Sequence, residues 1–216
     1  DSLGFEAGVD LTLLDSFRQG MFRIQDISSQ KACEFFKPKA GEYWWDACAG
    51  SGGKSLGLFH HEPNVQLYVS DSRDIILETL KGRMNLHNRV PKKVFEHDLE
   101  HSTPSSLPLM DGIIVDAPCT GSGTWARTPE HLLYFNTAFI QYYSDKQKKI
   151  LSNALPLLKE GNALVYITCS VFDEENEAVV DYICRQSPVR VESMKYIKGY
   201  THKAENMFVA RLIYQP

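Results

Sequence analysis

Short apolar runs alternate with segments of helical periodicity along most of this chain, and that alternation constrains the fold more than any other feature. "YWWDA" (43–47) runs into the glycine-rich "GSGG" and then into the helix-compatible "KSLGLFHH". The order reads strand, tight turn, helix. "VQLYVSD" (65–71) is a second strand ending on an acid, and "SRDIILETLKGRMNLH" behind it places Ile75, Ile76, Leu80 and Met84 near helical spacing. "KKVFEHD" (92–98) and "GIIVDA" (112–117) read as a third and a fourth strand, the fourth stopped by Pro118. "AFIQYYSDKQKKILSNALPLL" predicts a long helix with Ile140, Tyr143, Ile150, Leu151 and Ala154 on or near one face. "NALVYIT" (162–168) is a fifth strand, and the acids that open "DEENEAVVDYICRQ" suit a helix N-terminus. "VRVESMKYI" and "NMFVARLIY" read as a final antiparallel pair.

Strands that alternate with helices pair as parallel βαβ units. The expected fold class is therefore α/β, a doubly wound, mostly parallel sheet with an antiparallel C-terminal strand pair. Residues 1–40 read as an N-terminal extension leading into a core at 41–216. Within it, "FRIQDISSQKACEFF" predicts a helix capped by Ser28 or Ser29, with Ala32, Phe35 and Phe36 facing the sheet.

Composition removes several function classes. No apolar run approaches the roughly 18 residues that cross a bilayer, and Asp1–Asp10 carries acids and no base, unlike a signal peptide. The five cysteines (Cys33, Cys48, Cys119, Cys169, Cys184) are odd in number and widely spaced, which argues against a disulfide framework. No CxxC or Cys/His cluster suggests zinc, so no metal is expected, and a reducing cytoplasm is the expected compartment. The net charge of −4 gives no global attraction for nucleic acid, although Lys81–Lys93 holds five bases and no acid. Such runs read first as solvated faces.

In an open α/β sheet, ligands bind beyond the carboxyl ends of the strands. "DACAGSGGKS" (46–55) follows the first strand, where glycines let the backbone approach a ligand and the next helix presents free N–H groups. The phosphate-loop spacing fails, because Cys48 occupies its first glycine position. The dinucleotide fingerprint fails as well, because Ser55 occupies its third. A loop of this build suits a nucleoside ligand with little phosphate. Asp71, about twenty residues on, can accept from both ribose hydroxyls. Asp98 ends the third strand, where it can meet an adenine edge, and Asp116 ends the fourth.

Cys119 lies three residues past Asp116, and Cys169 ends the fifth strand. Neighbouring parallel strands are about 4.8 Å apart, so both thiols can face one pocket. Cys33 and Cys184 read instead as small buried hydrophobes. A thiolate beside a nucleoside cofactor suggests pyrimidine chemistry. Its addition at carbon 6 makes carbon 5 nucleophilic enough to take a methyl group, and a second thiol can assist the elimination that follows. Asp116 can hydrogen-bond the cytosine edge.

These residues resemble the RsmB/Nop2/Sun family of RNA cytosine-5 methyltransferases. "DACAGSGGKS" is similar to its cofactor loop, "DAPCTGSG" to its fourth motif, "YITCSVFDEEN" to its sixth, and "MFRIQDISSQ" to the segment before its cofactor domain. The match spans Gly20 to Arg211. The resemblance implies a Rossmann-like S-adenosylmethionine-dependent methyltransferase domain. It implies Cys169 as nucleophile, with Cys119 assisting product release and Lys54 near the reacting groups. It also implies cofactor contacts from Cys48, Ala49, Gly50, Ser51, Gly52, Gly53 and Lys54, and from Asp71, Asp98 and Asp116. Two departures stand out: Ala49-Gly50-Ser51 replaces the commoner Ala-Ala-Pro, and "AENMFVARL" replaces an Asp-Gly-Phe-Phe pattern.

The expected partner is RNA, ribosomal RNA ahead of transfer RNA, with the target base unstacked. Arg127 is the first candidate for substrate contact. Trp125 is a candidate stacking residue, and Lys81, Arg83, Lys92 and Lys93 are candidate phosphate contacts. The chain lacks an initiator Met and has little room for the additional RNA-binding region of most members, so it reads as the catalytic domain of a longer protein. Three rivals remain at this level: a DNA cytosine methyltransferase using Cys119 as nucleophile, a non-catalytic RNA-binding or ribosome-assembly factor retaining the fold, and an NTPase.

Overall fold

The computed structural model describes residues 3–4 and 9–216. The strands are β1 (Tyr43–Asp46), β2 (Gln66–Asp71), β3 (Lys93–Glu96), β4 (Met110–Asp116), β5 (Leu158–Thr168), β6 (Val189–Ile197) and β7 (Met207–Tyr214). They form one sheet in the order β3-β2-β1-β4-β5-β7-β6. The first five run parallel, and β7 lies antiparallel between β5 and β6. The helices are α1 (Asp15–Arg18), α2 (Ile27–Cys33), α3 (Gly53–His61), α4 (Asp74–Leu86), α5 (His131–Tyr134), α6 (Ala138–Ala154) and α7 (Glu177–Gln186). Among the described residues, no helix is long and apolar enough to cross a membrane.

Consecutive residues of a strand point to opposite faces, so the central strands are apolar at almost every position. Trp45, Ile113, Val115, Leu164 and Tyr166 enter one core, against Ile150 and Leu151 of α6 and Val180 and Ile183 of α7. Trp44, Ile114, Val165 and Ile167 enter the other, against Leu58 of α3, Leu77, Leu80 and Met84 of α4, and Ala32 and Phe36. Each such burial stabilises the fold by roughly 1.5–3 kcal/mol. Gly112 makes room for the Trp44 ring, since a Cβ there would lie 2.4 Å from it.

Local readings needed four corrections. The cap of α2 is Asp26, whose carboxylate accepts from Ser28 N–H at 2.8 Å, rather than Ser28 or Ser29. Ile75 is solvent-exposed and Leu77 takes the buried position, because α4 starts at Asp74 and its inward face is set by Leu77, Leu80 and Met84. β3 ends at Glu96, so Asp98 sits in the loop beyond it. The acids 173–175 form a separate 3-10 turn ahead of α7 rather than its first turn.

The strand order reverses between β1 and β4. The connections from these two strands depart in opposite directions and leave a crevice at their carboxyl ends.

Candidate active site

The loop after β1 holds Gly50 at φ +52° and Gly52 at φ +87°, a left-handed backbone that favours glycine. Gly52 precedes α3 and packs under Leu80 and Met84, with 3.0 Å from its would-be Cβ to each. Ala49 N–H donates to Ser70 O at 3.0 Å and Gly50 N–H to Asp71 Oδ2 at 2.8 Å, tying the loop to the end of β2. Arg83 donates to Ser51 O at 3.1 Å and to Ser51 Oγ at 2.8 Å, so this candidate phosphate contact braces the loop instead. Gly53 opens α3. Cys48 lies in the loop, and burial pushes its thiol well up.

The carboxylates on this edge have different surroundings. Asp71 is nearly buried and accepts from Arg73 Nε at 2.9 Å and Nη2 at 3.2 Å. Asp98 is half exposed and pairs with His101 at 3.2 Å. Asp46 is fully buried, with Oδ2 accepting from Ser55 Oγ at 2.6 Å and Oδ1 without a partner. Burial pushes its carboxyl up to about 7, and the Ser55 hydroxyl offsets part of that rise.

Lys54, in the first turn of α3, reaches across the crevice. Its Nζ lies 3.0 Å from Asp116 Oδ2 at the end of β4 and donates to Ser29 Oγ at 2.9 Å. Burial alone would lower its pKa, but the Asp116 charge, the hydrogen bond to Asp116 and the nearby Cys33 and Asp46 together more than offset this, and the net direction is upward. Lys54 therefore remains an ammonium in a buried place.

The two thiols meet. Cys119 Sγ and Cys169 Sγ are 3.4 Å apart. The register explains it: Asp116 pairs with Ile167 across β4 and β5, so the chain segments leaving both strands run side by side. Gly123 N–H then donates to Cys169 O at 2.8 Å. The Cys119 thiol is pushed well up by its hydrogen bond with Cys169 and by burial, so it is held as a neutral thiol. The other cysteines serve packing. Cys33 lies under Gly57, with its thiol pushed up to about 11 by burial, and Cys184 sits on α7.

Around the thiols lies a polar cage that sequence reasoning missed. Glu175, fully buried, accepts from Thr120 N–H at 2.8 Å, Thr120 Oγ1 at 2.6 Å, Ser170 Oγ at 2.7 Å and Gln147 Nε2 at 3.2 Å. Asn176 donates to Ser170 O at 3.0 Å and accepts from Thr168 Oγ1 at 2.5 Å. The available signal was "EEN", three polar residues five to seven places after the sixth-motif thiol, which reads equally well as a solvated helix start.

The candidate substrate contacts are dispersed. The Arg127 guanidinium pairs with Glu205 and, at 3.6 Å, with Asp26. The Trp125 ring meets Phe135 edge-on at 4.8 Å and Phe172 at 6.1 Å, and its Nε1–H is buried without a partner. Together with Thr120, His131, Tyr134, Phe135, Phe139 and Tyr143 it lines a hollow of about 200 Å³. Lys81 pairs with Glu78 on the surface of α4. Lys92 and Lys93 stand at the start of β3, the sheet edge opposite the thiols, over the Tyr43 and Phe95 rings. A residue that begins a parallel strand cannot reach the carboxyl edge.

Comparison with known proteins places this geometry. The family model described as 16S rRNA methyltransferase RsmB/F matches residues 33–214. Ribosomal RNA small subunit methyltransferase B of Salmonella arizonae is 29% identical over 191 residues, 87% of this chain and 44% of that protein. The protein of the same name from Cronobacter sakazakii is 29% identical over 99% of this chain and 52% of its own length. The chain spans about half the length of the curated relatives it matches. The crystal structure of NSun6 from Pyrococcus horikoshii with SFG superposes with a TM-score of 0.88 at 22% identity, covering 96% of this chain and 57% of that one. A methyltransferase homologue from the same organism gives 0.78 at 23% identity, covering 96% and 72%. These two likenesses carry the fold, the Rossmann-like sheet of S-adenosylmethionine-dependent methyltransferases. With the model matched across the glycine loop, both thiols and the final strand pair, this chain belongs to the 16S rRNA methyltransferase RsmB/F family.

Proposed function

We propose that this chain methylates carbon 5 of a cytosine in RNA, through a transient bond between Cys169 Sγ and carbon 6. Ribosomal RNA is favoured over transfer RNA, given the curated relatives, and the cytoplasm is the corresponding compartment. The observation that carries the reading is the contact of two thiols at the carboxyl edge, where a buried Lys54 also pairs with a part-exposed Asp116.

The residues present fit S-adenosylmethionine, of which the SFG in the archaeal neighbour is an analogue. The left-handed Gly50 and Gly52 let the backbone of residues 48–54 approach a ligand. Asp71 and Asp98 supply acceptors for ribose and adenine. When bound, S-adenosylmethionine supplies the electrophilic methyl group that carbon 5 takes up.

The chain's own residues do the rest. Cys169 adds to carbon 6, forming an S–C bond and giving carbon 5 enamine character. Asp116, held by Lys54, accepts from the cytosine edge and fixes the ring. After methylation the carbon-5 proton passes to water and the Cys169–carbon 6 bond breaks with its electron pair leaving on Cys169 Sγ, and the neutral Cys119 thiol, in contact with that sulfur, assists the elimination by donating a hydrogen bond to it.

RNA containing 5-fluorocytosine tests the scheme, because fluorine cannot leave as a proton does and the adduct persists. Wild type with S-adenosylmethionine should give a covalent complex, and Cys169→Ser none. An adduct that survives Cys169→Ser but is lost in Cys119→Ala makes Cys119 the nucleophile. No adduct and no methyl transfer with wild type favours the non-catalytic binding factor.

A further inference from the structure

We infer that Glu175 is a positioning residue that sets the separation of the two thiols, by holding the residues immediately after both of them on one buried carboxylate. The inference rests on the thiol chemistry proposed above and extends it to a group outside the reacting atoms.

The geometry is specific. Oε1 accepts from Thr120 Oγ1 at 2.6 Å and from Ser170 Oγ at 2.7 Å, so a single oxygen bridges the residue after Cys119 and the residue after Cys169. Oε2 accepts from Thr120 N–H at 2.8 Å and from Gln147 Nε2 at 3.2 Å. Gln147 also donates to Pro118 O at 2.9 Å, so Cys119 is held through both of its neighbours. The backbone carbonyl of Glu175 accepts from Tyr166 OH at 2.5 Å, which anchors the turn to β5.

Every contact to the Glu175 carboxylate is a donor, and among the described residues no lysine, arginine or histidine pairs with it. A fold needing only a satisfied polar group would not place an acid here, because burying a carboxylate without a counter-charge is costly. What the acid provides is acceptor capacity for several converging donors. A glutamine offers one acceptor oxygen and turns an N–H₂ toward groups that can only donate or are already committed. The unneutralised charge adds to the Cys169 hydrogen bond and burial in keeping the Cys119 proton in place.

Glu175→Gln separates this role from plain packing. Oxidation by a diazene, which takes up the two protons and two electrons as the thiols join, reads the sulfur separation without any methyl transfer. Mapping the Cys119–Cys169 peptide gives the rate. Wild type, with sulfurs already in contact, should couple rapidly. In Glu175→Gln, coupling should slow about tenfold or more, and kcat should fall about 10- to 100-fold with KM for RNA unchanged within about twofold, as expected when reacting groups are misplaced by an ångström or less. Glu175→Asp should be intermediate in coupling rate. If Glu175→Gln does not fold, Thr120→Val and Ser170→Ala, which each remove one donor and keep the acid, should slow coupling in its place. Wild-type coupling rates in a folded Glu175→Gln, or in both donor variants, overturn the inference. A wild type that couples fast but transfers no methyl group defeats the cytosine reading and leaves the positioning role standing.

Discussion

Lys54 Nζ stands 3.0 Å from Asp116 Oδ2, and the contact joins the first turn of α3 to the end of β4 across the crevice where the strand order reverses. The two partners are unequally buried, with side-chain exposures of 7% for the lysine and 31% for the aspartate. That asymmetry makes the two deletions unequal. Asp116→Asn strands an ammonium in a dry place and should cost about 3–5 kcal/mol, whereas Lys54→Met leaves a carboxylate that water reaches and should cost about 1–2 kcal/mol. Urea unfolding of both variants checks the order. The net upward shift at Lys54 means this stabilisation is complete below the ordinary lysine value and fades only as pH rises past it.

Asp46 gives the same sign in a lower pH window, near neutrality. Its folded carboxyl is pushed up by burial to about 7, above an unfolded aspartate near about 3.9. Between those values the folded chain keeps a proton that the unfolded chain has lost, so stability falls as pH rises through the window and levels off above it. Asp46→Asn removes that contribution. Its stability relative to wild type should improve by about 2–4 kcal/mol between pH 5 and pH 8, read from urea unfolding at both. An unchanged difference between the two pH values contradicts the assignment.

Arg127 is engaged within the protein. Its guanidinium pairs with Asp26 and Glu205, and the same Asp26 carboxylate caps α2 and accepts from Glu205 N–H at 3.1 Å. Arg127→Gln should therefore lower stability by about 1 kcal/mol and Tm by about 2–4 °C. The slope of RNA affinity against salt should stay as in wild type. A slope smaller by about one would place Arg127 on a phosphate instead.

Gly123 passes between two backbone strands of the site. A Cβ there would lie 2.2 Å from Asn206 O and 2.8 Å from Cys169 O. Backbone cannot move aside as a flexible side chain does, so Gly123→Ala should cost about 1–3 kcal/mol or more and shift the Cys169 segment. Adduct yield with 5-fluorocytosine RNA should drop well below that of Gly121→Ala, since a Cβ at Gly121 meets only Thr124 Oγ1, at an ordinary 3.8 Å, and otherwise costs the left-handed φ of +70°.

Much of this molecule is local and could be read from the chain. The periods of Trp44–Trp45, Ile113–Val115 and Leu164–Ile167 placed the parallel strands, and Asp116-Ala117-Pro118-Cys119 and Thr168-Cys169 placed a thiol just past two of them. Side-chain period and turn residues depend on near neighbours, so sequence alone carries them.

What long-range pairing decided was different. Only the register of β4 on β5 brings Cys119 and Cys169 to 3.4 Å. Only packing against α6 turns Glu175 inward to Thr120, Ser170 and Gln147, where its place in "DEEN" suggested a solvated helix start. Strand direction alone removes Lys92 and Lys93 from the ligand edge, and Asp26 and Glu205, far from Arg127 in sequence, decide where its charge is neutralised. The sequence by itself determined which groups exist and near which strand ends they fall. The tertiary structure determined which of them face one another, because a charge or a donor is committed by whatever partner the folded chain brings within about 3 Å, and nothing in the local pattern names that partner.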